Sequence, residues 1–437
     1  MDRRMRALVE FSAQVLYVVQ RSHVSHDRAF QRVLRQNRRV ARLLPLKVLY
    51  RVSHDIVSDY YTIRFLEKRI YGKTGGMKRA AKLWLLYRGL ESQYLQGYLE
   101  NVERLRRKLL RSLPRAPGSL EEALEEIEDP AERLAVKYSY PRWFAATFLR
   151  LLGGEEAEQL LSALNEEKWW IRVNTLKADV DEVAERLLDK GVVVRRDPDL
   201  DYMLEVVDFE EPLHHLEEMW RGEIVFQDKA SAMVVEALEP EPGDEILDMA
   251  AAPGVKDTLV EQLTGNRAVV HALDVSWERL RRTRRVLGLY SASPAAVGLV
   301  HADSTRLPLR RATGKIMLDA PCTSSGAIGK DPAIKLHLED RGWVQRFPEI
   351  QERLLEEAVR AAPRGAVVVY ATCSLLHFEG EEQVSRLLSL GGVEVEEAPV
   401  PGSPGYRGFP RVSGLVRRFF PHRHGTQGFF VARLRVR

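Results

Sequence analysis

The sequence predicts a mixed α/β protein in which an all-helical segment and a small α+β module precede a doubly wound parallel sheet. Two observations support this prediction. Residues 1–115 repeat apolar side chains three and four positions apart, which is the helical period, and show almost no strand pattern. After residue 245, apolar stretches alternate with stretches rich in Arg, Glu and Leu, as in parallel strands joined by helices. We therefore expect a helical domain at residues 1–130, the module at 131–230 and the sheet domain at 231–437.

Each element follows from a local pattern. Leu83, Leu86 and Leu90 lie on one face of a predicted helix in the first domain. In the module the pattern predicts a helix, a strand, a helix and a strand, at residues 144–152, 169–174, 181–188 and 192–194. The strands of the sheet domain are predicted around Ile246, Val269, Val300, Met317 and Val368. Ligands of such sheets bind at the carboxyl ends of the strands, so the residues directly after each strand are candidates for chemistry.

The charge of the chain is divided unevenly. Of a formal net charge of +4 over 437 residues, residues 1–115 carry +17 and residues 116–437 carry −13. A basic lobe of this kind suits a polyanion, because neutralised phosphates release counterions and give sequence-independent affinity. The charge alone leaves a second interpretation open, a solvated helical surface rich in Arg.

The composition argues against several classes of protein. The longest uninterrupted apolar run, residues 366–371, is far shorter than the roughly 20 residues of a membrane-spanning helix, and the Arg-rich start lacks the pattern of a signal peptide. Two cysteines without a CxxC or HExxH motif argue against a disulfide scaffold and a zinc site. We expect a cytoplasmic protein with no membrane and no metal.

A loop of small residues follows the first predicted strand of the sheet domain. After Asp248 and Met249, its members are Ala250, Ala251, Ala252, Pro253, Gly254, Val255 and Lys256. Small side chains let a ligand approach the backbone, and the N–H groups of the helix that follows suit a negatively charged group. The loop is neither a GxGxxG nor a Walker sequence, which argues against a dinucleotide or a nucleoside triphosphate. A tight structural turn is the alternative.

Acidic residues follow three successive strands of this domain. Asp248 ends the first strand, Asp274 ends the second, and Asp303 follows the third. A carboxylate at the end of the second strand is placed to accept hydrogen bonds from ribose hydroxyls. Together the three acids indicate a cradle for a nucleoside with a charged tail, although each alone is more often a helix cap.

Both cysteines of the chain directly follow central strands. Asp319 and Cys322 follow the fourth strand, and Cys373 follows the fifth. One buried cysteine is ordinarily a small core residue, but two at neighbouring strand ends require another explanation. A redox pair is one alternative, although 51 residues separate the thiols and no thioredoxin motif is present. We favour a nucleophile with a helper thiol, acting on an electrophilic ring.

The sequence around these positions resembles the Sun/Fmu type of RNA (cytosine-5) methyltransferase, the form with a NusB-like helical domain at its N-terminus. The resembling segments are 172–177 (RVNTLK), 227–231 (QDKAS), 251–254 (AAPG), 319–322 (DAPC), 372–374 (TCS), 420–422 (FPH) and 428–430 (GFF). Their order and spacing cover residues 170–432. Over residues 1–130 the resemblance rests on helical pattern and Arg content, and it implies an RNA-binding domain there.

The resemblance implies a Rossmann-like class I methyltransferase sheet with S-adenosylmethionine as the methyl donor. The loop 250–256 would wrap the methionine end of the donor, Asp274 would hold its ribose and Asp303 would lie near its adenine. Asp319 would lie between the donor and the target base. Lys256 would supply positive charge nearby.

For the chemistry itself, the resemblance assigns a role to each thiol. Cys373 corresponds to the family's nucleophile, and Cys322 to the thiol that assists resolution of the covalent adduct. The expected substrate is RNA, with ribosomal RNA favoured over transfer RNA, and we expect a monomer.

Three positions depart from the family pattern. Val255 stands where the second Gly of Pro-Gly-Gly-Lys is usual, Asp257 where Thr or Ser commonly follows the Lys, and Ser324 where Gly is frequent. A Cβ at Val255 has to point away from the donor, and a left-handed backbone is unfavourable there.

Other functions are compatible with parts of the sequence. Methyl transfer to an exocyclic nitrogen or a small molecule needs no covalent adduct and leaves the two cysteines unexplained. A non-catalytic RNA-binding factor of ribosome assembly fits the basic domain and the departure at Val255. Transfer RNA fits the same site as ribosomal RNA, whereas the resemblance disfavours DNA.

Overall fold

The fold is that of a computed structural model, which describes residues 3–112, 116–210, 213–290, 296–309 and 313–437. The internal contacts divide the chain into two units, Met1–Glu166 with Ile328–Val344, and Glu167–Ala327 with Gln345–Arg437. We call them the helical unit and the sheet unit. The division of the chain into three domains at residues 130 and 230 stays a prediction.

The described residues form the following elements. The α-helices are α1 Arg3–Ser22, α2 His26–Gln36, α3 Leu46–Ser58, α4 Tyr60–Tyr71, α5 Met77–Tyr87, α6 Leu99–Ser112, α7 Leu120–Glu125, α8 Pro130–Tyr138, α9 Arg142–Leu152, α10 Gly154–Ala163, α11 Val180–Asp189, α12 Glu217–Arg221, α13 Lys229–Glu236, α14 Val255–Thr264, α15 Trp277–Tyr290, α16 Ala333–His337, α17 Arg341–Ala361, α18 Glu381–Leu390 and α19 Pro421–His424. The strands are β1 Trp169–Val173, β2 Val192–Arg196, β3 Met203–Phe209, β4 Ile224–Phe226, β5 Glu245–Asp248, β6 Val269–Asp274, β7 Val297–His301, β8 Lys315–Asp319, β9 Val367–Thr372, β10 Val393–Glu396, β11 Arg417–Phe419 and β12 Phe429–Val436.

The helical unit contains helices and turns but no strand in its described residues. Leu8, Val15 and Val19 of α1 lie at helical spacing and are completely buried. They belong to a core that also contains Leu49 of α3 and Ala81 of α5. The predicted helical N-terminal region is therefore confirmed, and its stability comes from burial of one apolar face per helix.

One segment of the helical unit comes from much later in the chain. α16 lies in Ile328–Val344, and its Lys335 is fully buried. The Lys335 Nζ donates to the carbonyl oxygens of Ser58 at 2.9 Å and Tyr138 at 3.2 Å, and it lies over the Tyr140 ring. Burial of the charge lowers the pKa of Lys335 to about 7. No pattern in the sequence marks α16 as part of the helical unit.

The smaller sheet of the sheet unit has the strand order β2-β3-β1-β4, and all its pairs are antiparallel. Ile171 of β1, Leu204 of β3 and Val183 of α11 are completely buried in its core. β1, α11 and β2 form where the sequence predicts them. The sequence pattern does not predict β3 or the three-residue β4, because short or partly exposed strands carry little periodic signal.

The larger sheet has the order β10-β12-β9-β8-β5-β6-β7, with β11 paired to β12. β5 to β9 are mutually parallel, and β12 runs antiparallel between β9 and β10. The five predicted strands are confirmed as β5 to β9. β6 and β7 lie on one side of β5, whereas β8 and β9 lie on the other side. This change in strand order leaves a crevice for a ligand at the carboxyl ends of β5 and β8. In the part of the chain that the structure describes, no helix is long and apolar enough to cross a membrane.

Candidate active site

Backbone hydrogen bonds fix the loop between β5 and α14 at the carboxyl ends of the strands. The Met249 N–H donates to the Met317 carbonyl of β8 at 3.0 Å, and the Ala251 N–H donates to the Leu273 carbonyl of β6 at 2.8 Å. The loop then closes on itself, because the Gly254 N–H donates to the Ala251 carbonyl at 2.7 Å. The predicted small-residue loop therefore lies at the crevice.

The left-handed residue of this loop is Gly254, with a φ of +92°. A Cβ there would lie 2.6 Å from Cγ2 of Thr283, so glycine meets both the backbone and the steric requirement. Val255 starts α14 with a helical backbone, and its departure from glycine therefore requires no left-handed conformation. No described side chain caps α14, so its first N–H groups can bind a negatively charged group.

Asp274 lies close to this loop at the end of β6. It is 3% exposed, and its Oδ1 accepts the Ser276 N–H at 2.8 Å. Arg279 Nη1 lies 3.3 Å from Asp274 Oδ2, and the same guanidinium donates to the Ala252 carbonyl. Arg279 thus links the predicted ribose carboxylate to the loop. The sequence gives no signal for Arg279, because α15 contains many arginines and only the fold shows which one faces the loop.

Asp303 follows β7 and is exposed. Its Oδ1 accepts the Thr305 N–H at 2.9 Å and the Thr305 hydroxyl at 2.7 Å, and these hydrogen bonds lower the pKa of Asp303. The neighbouring Ser304 donates its hydroxyl to the Met249 carbonyl at 2.6 Å. The turn that carries Asp303 is therefore joined to the loop, and Oδ1 of Asp303 is bonded to Thr305.

Two exposed apolar side chains lie beside Asp274. Val275 is 66% exposed and Trp277 is 62% exposed, and the Trp277 ring centroid lies 6.0 Å from that of His301. Large apolar side chains with this exposure are suited to stacking on a base. The exposed apolar side chains suit an adenine, and the buried Asp274 carboxylate suits the hydroxyls of a ribose. The uncapped N-terminus of α14 suits a carboxylate. The described residues thus fit S-adenosylmethionine, with the loop, Asp274 and α14 as the groups that would hold it.

A short ion pair joins the loop to the fourth strand of the parallel series. Lys256 Nζ lies 2.5 Å from Asp319 Oδ2, and the same ammonium lies 6.0 Å from the centre of the Phe429 ring. Burial lowers the pKa of Lys256, but the Asp319 carboxylate outweighs burial and holds that pKa above its ordinary value. Lys256 is therefore a fixed positive charge beside Asp319.

The two thiols meet at the ends of β8 and β9. Cys322 Sγ lies 3.3 Å from Cys373 Sγ. The pKa of Cys373 is lowered, chiefly by its hydrogen bond with Cys322, and the pKa of Cys322 is raised well above its ordinary value by the same contact and by burial. Cys373 is thus the more acidic thiol of the pair. Among the described residues, no cluster of three His, Cys, Asp or Glu side chains could hold a metal ion.

Ser324 adds a hydroxyl to this pair. Its Oγ lies 3.5 Å from Cys373 Sγ, and this contact also lowers the pKa of Cys373. Ser324 has a φ of +56°, the left-handed conformation that favours glycine. The serine that replaces the family's frequent glycine is therefore strained and contacts the sulfur of Cys373.

Strand pairing explains why residues 51 positions apart meet. β8 and β9 are parallel neighbours in which Asp319 pairs with Ala371, and the Ala320 N–H donates to the Ala371 carbonyl at 2.9 Å. Beyond the strands, the Gly326 N–H donates to the Cys373 carbonyl at 3.0 Å. The separation along the chain, which argued against a redox pair, therefore does not keep the two thiols apart in the fold.

Glu379 holds the two thiol-bearing loops together. Its carboxylate is completely buried and accepts from the Thr323 N–H at 2.9 Å, from the Thr323 hydroxyl at 2.5 Å and from the Ser374 hydroxyl at 2.5 Å. Thr323 follows Cys322, and Ser374 follows Cys373. Burial raises the pKa of Glu379, and these hydrogen bonds oppose the rise. The sequence analysis does not identify Glu379, since a glutamate after a strand is usually a surface residue or a cap.

A buried ion pair supports the same region. Arg418 of β11 and Glu381 of α18 are both 0% exposed, and Arg418 Nε donates to Glu381 Oε1 at 2.6 Å. Arg418 Nη1 also donates to the Ser374 carbonyl at 3.1 Å, directly after Cys373. The Glu381 charge outweighs burial and raises the pKa of Arg418. The sequence analysis identifies neither residue, because their pairing depends on two distant elements.

The larger sheet is parallel except for one antiparallel strand near its edge, and this arrangement is that of a Rossmann-like class I methyltransferase fold. The small-residue loop and Asp274 lie where the strand order reverses, and the two thiols follow β8 and β9. The family follows from sequence comparison. Residues 235–435 match the model of 16S rRNA methyltransferase RsmB/F, and residues 140–208 match the ferredoxin-like domain of RsmF/B-like methyltransferases. The chain belongs to the RsmB/F methyltransferase family.

Curated relatives support this assignment. The 26S rRNA (cytosine-C(5))-methyltransferase nsun-1 of Caenorhabditis elegans is 31% identical over 71% of this chain and 48% of its own length. Ribosomal RNA small subunit methyltransferase B of Xylella fastidiosa is 31% identical over 69% of each chain. The tRNA (cytosine(72)-C(5))-methyltransferase of Pyrococcus horikoshii is 36% identical over 51% of this chain and 55% of its own. The chain spans about half the length of the animal relative.

Solved structures agree with the fold. The crystal structure of PH0851 is similar over 100% of this chain and 99% of its own, with a TM-score of 0.74 and 26% identity. NSun6 from Pyrococcus horikoshii, solved with the S-adenosylmethionine analogue SFG, covers 68% of this chain and 98% of its own, with a TM-score of 0.61 and 28% identity. The cofactor of the family is S-adenosylmethionine.

Proposed function

We propose that this protein is an S-adenosylmethionine-dependent RNA (cytosine-5) methyltransferase that acts on ribosomal RNA in the cytoplasm as a monomer. Family membership and the names of the relatives support the reaction. The observation that carries the proposal is the pair of sulfur atoms 3.3 Å apart, one of them with a lowered pKa, beside the Lys256 and Asp319 ion pair. Methylation at a nitrogen gives no reason for such a pair.

The need for a thiolate follows from the chemistry of the base. C5 of cytosine is a poor nucleophile until a group adds to C6 and gives C5 enamine character. We assign this addition to Cys373, because the thiolate is the nucleophilic form of cysteine and the Cys322 and Ser324 contacts favour it. When bound, S-adenosylmethionine supplies an electrophilic methyl group on sulfur.

Addition of Cys373 places negative charge on the N3 and O2 edge of the base. We assign Asp319 to accept a hydrogen bond from the N4 amino group of the base, and Lys256, whose Nζ lies 2.5 Å from Asp319 Oδ2, to supply the positive charge that stabilises the adduct. Groups already oriented toward developing charge stabilise it without further reorganisation. After methylation, the H5 proton must leave and Cys373 must be expelled. A base must accept H5 while the bond between C6 and sulfur breaks and Cys373 leaves as a thiolate. We assign assistance in this step to Cys322, through a water that it positions to accept H5.

The helical unit offers a surface for the RNA backbone. A cavity of about 570 Å³ is lined by Arg35, Arg38 and Arg39 together with Gln14 and Asn37. The three arginines form no ion pair with any described carboxylate, so their charges are available to phosphates. Arg104 and Arg107 of the same unit line a second cavity of about 580 Å³.

The RNA surface is tested by the salt dependence of binding. Replacing Arg35, Arg38 and Arg39 with Gln should weaken RNA binding and reduce the slope of log K against log salt by roughly 0.7 for each phosphate contact to a single strand. Arg386→Gln is the matched control, because this exposed arginine of the sheet unit already pairs with Glu352. An unchanged slope in the triple variant would remove this surface from the proposal.

The reaction and its substrate are tested by transfer of tritiated methyl groups from S-adenosylmethionine. Small-subunit and large-subunit ribosomal RNA and bulk transfer RNA are offered separately, and 5-methylcytosine is identified in the digested product. We expect label in ribosomal RNA and none with Cys373→Ala. Label in transfer RNA alone would identify transfer RNA as the substrate. RNA binding without label on any RNA would favour a non-catalytic assembly factor.

A further inference from the structure

Asp257 stands at the third position of α14, where Thr or Ser is common in the family, and its environment is unusual for an acid. The side chain is 0% exposed, and neither carboxylate oxygen has a hydrogen-bond donor among the described groups. It lies in hydrogen-bonding contact with the carboxyl group of Asp248, which is 1% exposed. Two buried acids therefore face each other beneath the cofactor loop.

The usual role of an acid at this helix position does not apply to Asp257. Such an acid ordinarily accepts the N–H of the residue that caps the helix. Here the cap is Gly254, and its N–H already donates to the Ala251 carbonyl at 2.7 Å. Lys256 Nζ pairs with Asp319 Oδ2 at 2.5 Å, and neither oxygen of Asp257 accepts a hydrogen bond from it. Only a proton is left to join Asp257 to Asp248.

Two carboxyl groups that are in contact and shielded from water cannot both be ionised without a large cost in free energy. Burial and the neighbouring Asp248 raise the pKa of Asp257 well above its ordinary value, and burial raises the pKa of Asp248 to about 6. The other groups that face the pair are Lys256, which lowers both pKa values, Glu261, which raises that of Asp257, and Asp319, which raises that of Asp248. The helix dipole favours the anion at this position but is a smaller effect.

We propose that Asp257 is a positioning residue that stays protonated at neutral pH and donates its O–H to Asp248, holding the cofactor loop in its binding conformation. Asp248 Oδ1 accepts the Ala250 N–H at 2.9 Å, so the proton joins α14 to the first residue of the loop. This inference rests on the proposed function only in taking the loop as the site of S-adenosylmethionine. The proton makes cofactor affinity dependent on pH.

The direction of that dependence follows from the raised pKa. Asp257 keeps its proton in the folded protein at pH values where the unfolded chain has lost it, so the stabilisation is lost as pH rises through the folded-state pKa. Loss of the proton should also release the loop. Affinity for the cofactor should then fall by up to about tenfold per pH unit above that pKa.

The test uses calorimetric titration of the full chain with S-adenosylhomocysteine across a pH series, without RNA. We expect the wild-type affinity to fall at alkaline pH. Asp257→Asn, which keeps an N–H donor and cannot ionise, should bind as well as wild type at neutral pH and lose the alkaline fall. Asp257→Thr should lose the fall as well, and serves as the second variant if the first folds poorly.

Glu261→Gln is the matched control. Glu261 lies on the same helix, and burial raises its pKa to about 7, so its titration is the competing source of a pH effect. The proposal is overturned if Asp257→Asn retains the alkaline fall, if Glu261→Gln abolishes it, or if the wild-type affinity does not depend on pH. If the affinities depend on pH as expected but no methyl group is transferred to RNA, the result would count against the proposed function and would still support the role of Asp257.

Discussion

The sulfur atoms of Cys322 and Cys373 lie 3.3 Å apart at the ends of neighbouring parallel strands, and their contact lowers the pKa of Cys373 and raises that of Cys322. This contact gives two chemically identical side chains different acidities. The thiol with the lowered pKa becomes the better nucleophile, and the thiol with the raised pKa keeps its proton more firmly. The assignment of attack to one cysteine and of resolution to the other rests on this asymmetry.

Removal of the Cys322 thiol should make Cys373 less acidic. In Cys322→Ala the hydrogen bond that favours the thiolate is lost, so the pKa of Cys373 rises. Alkylation by iodoacetamide at neutral pH should slow by about tenfold for each unit of that rise. The pH profile of alkylation, followed by mass spectrometry, measures it. A profile that coincides with wild type would show that the contact does not tune the nucleophile.

Ser324→Gly should raise the stability of the protein and lower the reactivity of Cys373. Glycine tolerates a φ of +56°, so the variant should gain stability, by about 1 kcal/mol for relief of a left-handed residue. The same change removes the hydroxyl 3.5 Å from Cys373 Sγ and should slow alkylation at neutral pH. Thermal unfolding and alkylation rates are measured on one preparation. Ser324→Ala, which keeps the strain, should show only the slower alkylation.

Asp319→Asn should reduce turnover with little effect on folding. The carboxylate contacts Lys256 at the crevice and is proposed to face the target base. Loss of one oriented group at such a position lowers kcat by roughly 100-fold to 1,000-fold. Single-turnover methyl transfer checks this expectation. A variant that lost RNA binding but kept its single-turnover rate would place Asp319 in substrate binding only.

Glu381→Gln should destabilise the sheet unit. Glu381 and Arg418 are both completely buried, and loss of one charge leaves the other without its partner. Breaking a buried pair in this way costs about 3–5 kcal/mol. Urea unfolding measures the change, and Glu394→Gln, in an exposed pair with Arg437, is the control that should change little.

The strands of the parallel series were predictable because each is a short apolar run followed by small or acidic residues. Asp274, Asp319, Cys322 and Cys373 all lie at strand ends for that reason. The topology places strand ends together, so a motif at each end predicts one crevice without any knowledge of distances.

Other parts of the site depend on contacts that a local pattern does not encode. Glu379 accepts hydrogen bonds from both thiol-bearing loops, and Arg279 joins Asp274 to Ala252, through side chains that look ordinary in sequence. The segment Ile328–Val344 belongs to the helical unit although it follows β8. No local pattern in this segment indicates the core in which it packs.

Covalent trapping on folded ribosomal RNA tests the central claim most directly. Each cysteine variant is incubated with RNA and S-adenosylmethionine, denatured, and separated by electrophoresis. We predict that Cys322→Ala accumulates a denaturant-resistant protein–RNA adduct, because attack proceeds and release is slowed, whereas Cys373→Ala forms none and transfers no methyl group. An adduct with Cys373→Ala and none with Cys322→Ala would contradict the assignment of the nucleophile.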